Sequence, residues 1–173
     1  MPATKISPIS RRLAMLATVA SAAVTAVPAS AETTATAMTV GATVTKNCIL
    51  ETTPINLGDI DTTSTAARDQ TGSISVTCTN GAGWSAAADA GQTVGATPGT
   101  RRMVNGTDVL DYALYSDAAR TILWGDGTAG TTPITDTGNG TAQDKIIYAS
   151  VLPGQVAAHA GAYTDQISVT VTY

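Results

Sequence analysis

The sequence has no phenylalanine, one histidine and two cysteines among its 173 residues, and only 13% of its side chains are charged. A single imidazole excludes multi-histidine metal hydrolysis, and two cysteines that pair as one disulfide leave no free thiol for a Cys-His nucleophile. Basic groups are the scarcer sign. After residue 31, six Lys and Arg face thirteen Asp and Glu, a net charge of −7. Nucleic-acid binding is excluded on that ground, because phosphate neutralisation needs a basic stripe. Long helix-forming side chains are also few, whereas the same span holds 28 Thr and 16 Gly. That composition opposes helix and favours strands and turns, so an all-β domain is expected.

The first residues have the three parts of an export signal in order. Lys5, Arg11 and Arg12 precede an uncharged stretch, 13–27, and Ala29-Ser30-Ala31 stands before Glu32. Small residues at the last and third-last positions suit signal peptidase, which sets residues 1–31 as the signal. The uncharged stretch is about 15 residues, short of the roughly 20 that span a bilayer as a helix. The expected product is exported through the inner membrane. In an oxidising compartment its two cysteines, Cys48 and Cys78, most economically form one disulfide. No second His or Cys pair completes a metal shell, so neither metal nor cofactor is expected.

Alternation then organises the chain. Met38, Val40, Ala42 and Val44 share one parity, and Thr39, Gly41, Thr43 and Thr45 the other, the period of a half-buried strand. Thr52-Thr53-Pro54 ends that region, Ile55 to Gly58 is a short apolar patch, and Asp59 to Thr71 reads as a polar loop. Ile74, Val76 and Cys78 predict a strand closed by Asn80-Gly81, and Trp84, Ala86 and Ala88 predict the next. Asn105-Gly106 is the strongest hairpin signal, with Val109 to Tyr115 as the return strand. Gly125 to Thr141 reads as loop, and 146–151 as strand. Tyr163, Asp165, Ile167, Val169, Val171 and Tyr173 share one parity to the carboxylate. Seven to nine short strands of this kind predict a β-sandwich.

Candidate catalytic groups are isolated. His159 lies in a loop signal, Gly125-Asp126-Gly127-Thr128 lacks the Lys of a phosphate loop, and Asp59 with Asp61 lacks the closing Glu of a calcium loop. Asn105-Gly106-Thr107 and Asn139-Gly140-Thr141 match the glycosylation pattern but read first as turns. No enzyme is expected. The two ends carry more information. The segment 32–45 has the alternation of a strand that could be donated, and the last strand has an edge that could receive one. From periodicity alone, pairing within the chain and donation to a neighbour are equally compatible with the residues.

Several segments together resemble the spore coat protein U domain, the family that includes subunits of archaic chaperone-usher pili. They are the alternation into Cys48, Ile74-Ser75-Val76-Thr77-Cys78, Asp89-Ala90-Gly91, Arg101-Arg102-Met103, Leu110 to Tyr115, Asp117-Ala118-Ala119-Arg120-Thr121, Trp124-Gly125-Asp126-Gly127, Gly161 to Asp165 and Val169 to Tyr173. Leu57 departs from the family's frequent Phe before Gly58. The resemblance implies an immunoglobulin-like β-sandwich, 46–173, lacking its last strand, with 32–45 as a donor segment. It further implies a structural subunit of a surface fibre, serving adhesion or biofilm formation. The implied partners are a periplasmic chaperone, an outer-membrane usher and identical or related subunits. Met38, Val40, Ala42 and Val44 are then the donated side chains. Ile167, Val169, Val171 and Tyr173 are the acceptor edge and the chaperone's recognition surface. A coat component, or a single-domain carbohydrate-binding adhesin using Trp84, Trp124 or Tyr115, is the alternative.

Overall fold

The computed structural model describes residues 28–173; the export signal, as far as residue 27, lies outside them. A division falls after Gly41. Residues 28–47 form no helix or strand, so the expected strand at Met38 to Val44 has no ladder here. Its side chains are in water, Met38 and Val40 at 88% exposure and Val44 at 84%.

The remainder forms eight strands in two antiparallel sheets. They are β1 Cys48–Thr53, β2 Arg68–Cys78, β3 Gly83–Ala88, β4 Arg101–Asn105, β5 Asp108–Tyr115, β6 Ile134–Thr137, β7 Ala142–Val151 and β8 Val169–Thr172. One sheet has the order β1-β2-β7-β5-β4 and the other β6-β3-β8. Period-two burial follows the sequence: Ile74, Val76 and Cys78 of β2, Trp84, Ala86 and Ala88 of β3, and Ile147, Ala149 and Val151 of β7 are buried. Two tryptophans do the filling that phenylalanine would otherwise share. The small Ala86 and Ala88 leave room on β3, and Trp124 donates its Nε1 hydrogen to the Ala86 carbonyl at 3.0 Å. Trp84 donates to Gln143 Oε1 at 3.1 Å. Each indole thereby buries its ring without stranding its N–H.

The hairpin falls at the expected place with a shift of one residue. Asn105 pairs with Asp108, so Gly106 and Thr107 are the two loop residues. Gly106 has φ of 61° at the first of them, the position that a type II′ turn reserves for glycine. Two expected loops contain strand. β2 begins at Arg68 rather than after Thr71 because its polar half pairs with β7, Arg68 opposite Val151. β6 lies inside the glycine-rich 125–141 region and is held by its ladder to β3, with Ile134 as its one core contact. Conversely, the long final strand keeps a ladder only at β8. Its lead-in is extended and touches the other sheet at a single bridge, Thr164 with Val104.

Cys48 and Cys78 are bonded and stand opposite each other across β1 and β2, with Cα atoms 4.1 Å apart. The bridge closes a sequence separation of 30. Replacing both cysteines with alanine should cost about 3 kcal/mol or slightly more through the unfolded state, read as a lower urea midpoint at unchanged slope.

Candidate functional site

Between the two sheets lies an open cleft of 1480 Å³. Its floor is made of core residues: Ile74, Leu110, Leu114, Trp124, Ile147 and Ala149, all buried, and the half-buried Tyr112. Its walls are two segments, 52–62 and 158–169, that leave regular pairing.

The first wall starts where Pro54, lacking an N–H, ends the β1 ladder. Ile55 and Leu57 then turn inward and pack on the core. Asn56 Oδ1 accepts the Gly58 N–H at 2.9 Å, and Arg68 Nε donates to the Leu57 carbonyl at 2.7 Å. Gly58 has φ of 67°, and an added Cβ would sit 2.9 Å from an Arg68 nitrogen, so only glycine suits this corner.

The second wall crosses from one sheet to the other. Thr164 exchanges backbone hydrogen bonds with Val104 of β4 at 2.9 and 3.1 Å. Four residues on, the Ser168 carbonyl accepts the Asp89 N–H at 3.1 Å, and the Ser168 N–H donates to Asp89 Oδ1 at 2.9 Å. β8 then pairs with β3, and its other side has no partner strand among the described residues. Between these anchors, Asp165 points inward. Its Oδ2 accepts the Tyr112 hydroxyl hydrogen at 2.7 Å and its Oδ1 the Gln92 N–H at 3.0 Å. Burial, and then the bond to Asp165, push the Tyr112 phenol well above its ordinary range, so it stays a neutral donor.

Arg101 anchors the base of this arrangement and is wholly buried. Its guanidinium donates to the carbonyls of Asp89 at 2.8 Å, Pro98 at 2.6 Å and Ala88 at 3.1 Å. Desolvation lowers its pKa, while Tyr112, Asp89 and Asp165 nearby pull the other way. The sequence signals for these groups were slight. Asp165 is a carboxylate on the apolar parity of the last strand, and Arg101 is one of two adjacent arginines at a strand start.

Of the expected acceptor residues, Ile167 and Val169 line the cleft. Val171 packs on the core cluster beyond it. Tyr173 is half exposed, its hydroxyl 3.4 Å from Asn47 Oδ1. Of the three aromatics of the alternative surface site, Trp84 and Trp124 are 3% and 1% exposed because they fill the sandwich, which removes them from it, and Tyr115 is half-buried. His159 is exposed in its loop, with Nδ1 3.0 Å from Asp108 Oδ1. Asp61 caps a turn through the Thr63 N–H and hydroxyl, bonds that hold its carboxyl below the ordinary value. Asn139 does the same through Thr141. Among the described residues no three His, Cys, Asp or Glu side chains converge to hold a metal ion. The site is therefore a cleft with an apolar floor and polar walls, Asp59, Asp61, His159 and Asp165 among them, beside a sheet edge unpaired among the described residues.

A two-sheet sandwich of this topology, open along one seam, is an immunoglobulin-like fold. The Spore Coat Protein U domain matches residues 34–170, and the chain belongs to that family. No curated protein sequence matches the chain. Among solved structures, it is similar to a chain of the CsuC-CsuE complex of Acinetobacter baumannii, described as a chaperone-tip adhesion subunit pre-assembly complex from archaic chaperone-usher Csu pili. That similarity has a TM-score of 0.56 at 17% identity, over 76% of this chain and 40% of the other. A chaperone-usher pilus structure concerned with rod uncoiling is similar at a TM-score of 0.45 and 12% identity, over 85% of this chain and 99% of that one.

Proposed function

We propose that the chain is a structural subunit of a chaperone-usher surface fibre, assembled by strand donation between copies. Residues 32–45 of one copy enter the cleft of the next, burying Met38, Val40, Ala42 and Val44 against its floor. Before assembly a periplasmic chaperone fills the same cleft, and an outer-membrane usher exchanges one occupant for the other. The protein acts in the periplasm in transit and then at the cell surface, in adhesion or biofilm formation, and not as an enzyme.

What supports this reading is the presence, in one family member, of a 1480 Å³ cleft beside the edge of β8, which is unpaired among the described residues, and of an exposed segment with alternating apolar side chains. Main-chain bonds along a free edge supply affinity, and alternate side chains supply specificity. A synthetic peptide spanning 32–47, added to the full-length chain, should bind at a 1:1 ratio and raise its melting temperature in proportion to the logarithm of peptide concentration. A peptide of the same composition with the alternation scrambled should do neither. Equal behaviour of the two peptides would refute strand donation.

A further inference from the structure

Three carboxylates, Asp59, Asp61 and Asp165, stand in the walls of the cleft, and of these Asp165 is the one on the final chain segment that leads into the open edge of β8. From Tyr163 to Val171 the odd residues are half-buried and the even ones exposed, which puts Asp165 in line with Ile167, Val169 and Val171. Thr164 and Ser168 spend their backbone groups on β4 and the end of β3. By strand alternation, the backbone groups of Asp165, Ile167, Val169 and Val171 face the opposite, open flank. Asp165 takes one hydrogen bond on each oxygen, from Tyr112 and Gln92, so each keeps a second acceptor site. No Lys or Arg lines the cleft. The nearby Arg101 is committed to three carbonyls.

The segment outside the sandwich has the matching pattern. Met38, Val40, Ala42 and Val44 are followed on the same parity by Lys46, which is exposed. Four apolar residues and a cation on one strand thus meet an anion and four largely apolar residues on the other, Asp165 followed by Ile167, Val169, Val171 and Tyr173. Laid antiparallel, the two strands set Lys46 against Asp165, Val44 against Ile167, Ala42 against Val169, Val40 against Val171 and Met38 against Tyr173. A parallel alignment puts Met38 against the carboxylate and Lys46 against Tyr173. A slip of two residues puts Val44 on the carboxylate, or Lys46 on Ile167. Slips of two keep every apolar side chain on its face, so apolarity alone leaves the register weakly specified. A charged group at one position resolves it, as a single polar residue does at a coiled-coil seam.

We propose that Lys46 of an incoming copy pairs with Asp165 and that this pair sets the direction and register of the inserted strand. The inference rests on the strand-donation reading above and adds to it the residue pair that aligns the donor.

The test uses the full-length chain and labelled peptides spanning 32–47. Lys46→Glu in the peptide should weaken binding to the wild-type chain about tenfold at low ionic strength, less at high salt. The same peptide change should cost less than about twofold against an Asp165→Asn chain, since the partner charge is gone. An equal loss on both chains, or none on the wild type, overturns the proposal. A photoreactive side chain at peptide position 42 provides a second measurement on the wild-type chain alone. It should label Val169, and labelling centred on Ile167 or Val171 instead overturns the register. If the unaltered peptide fails to bind at all, strand donation itself falls, an outcome distinct from binding that ignores Lys46.

Discussion

Val40→Asp and Val44→Asp should each yield a subunit that accepts a donor but cannot donate one, and so ends growth wherever it is added. Under strand donation, burying Met38, Val40 and Val44 would contribute roughly 1.5 to 3 kcal/mol for each side chain. A carboxylate in the trough removes one of these contributions and adds a desolvation penalty of several kcal/mol, since no cation lines the floor. Both positions are in water in the free chain, so neither change disturbs the sandwich. Electron microscopy should show wild-type fibres shortening as either variant is mixed in, and no fibres from a variant alone. Binding of the 32–47 peptide to the variant chains should equal that of the wild type. Normal fibres from either variant would remove 32–45 as the donor.

The second large effect is on stability. Arg101→Leu should destabilise the chain by about 3 kcal/mol, because it leaves the buried Ala88 carbonyl and the part-buried Asp89 and Pro98 carbonyls without their donor, at about 1–3 kcal/mol for a fully buried group and less for the other two. Arg101→Lys should recover only part of this, since an ammonium cannot reproduce the planar fork that reaches three carbonyls. Denaturant unfolding measures the loss. A cost below about 1 kcal/mol for the Leu variant would mean that water replaces the guanidinium.

Elements with an inward residue at every second position were legible in the sequence. β3, the core half of β2 and the inward face of β7 follow that rule, and the β4–β5 hairpin was legible from its Asn105-Gly106 turn signal. β6 was not legible, because Ile134 is its one large apolar residue and pairing with β3, distant in sequence, defines it. The polar start of β2 was hidden for the same reason, its partner being the far end of β7. The inward parity from Asp165 to Val171 could be read directly. The contact between Tyr112 and Asp165 could not, because it joins residues 53 apart through folding of the whole sandwich. Arg101 misleads any reading by charge, since the carbonyls of Ala88 and Asp89 at the end of β3 and of Pro98 replace its water.

In a fibre built by strand donation, the Cys48–Cys78 bond also has a mechanical consequence. Tension between neighbouring copies enters each subunit through the segment ahead of Cys48. The first rung it meets is the Cys48 and Cys78 pair at the end of the β1–β2 ladder. Hydrogen bonds pulled at the end of a ladder unzip one at a time, so an uncrosslinked β1 would peel from the sheet's edge under modest load. The covalent rung passes the pull directly into β2, whose ladder with β7 runs from Arg68 to Thr77. There the load falls on a ladder of ten residue pairs in place of the six of β1, and the outermost strand of each link is spared.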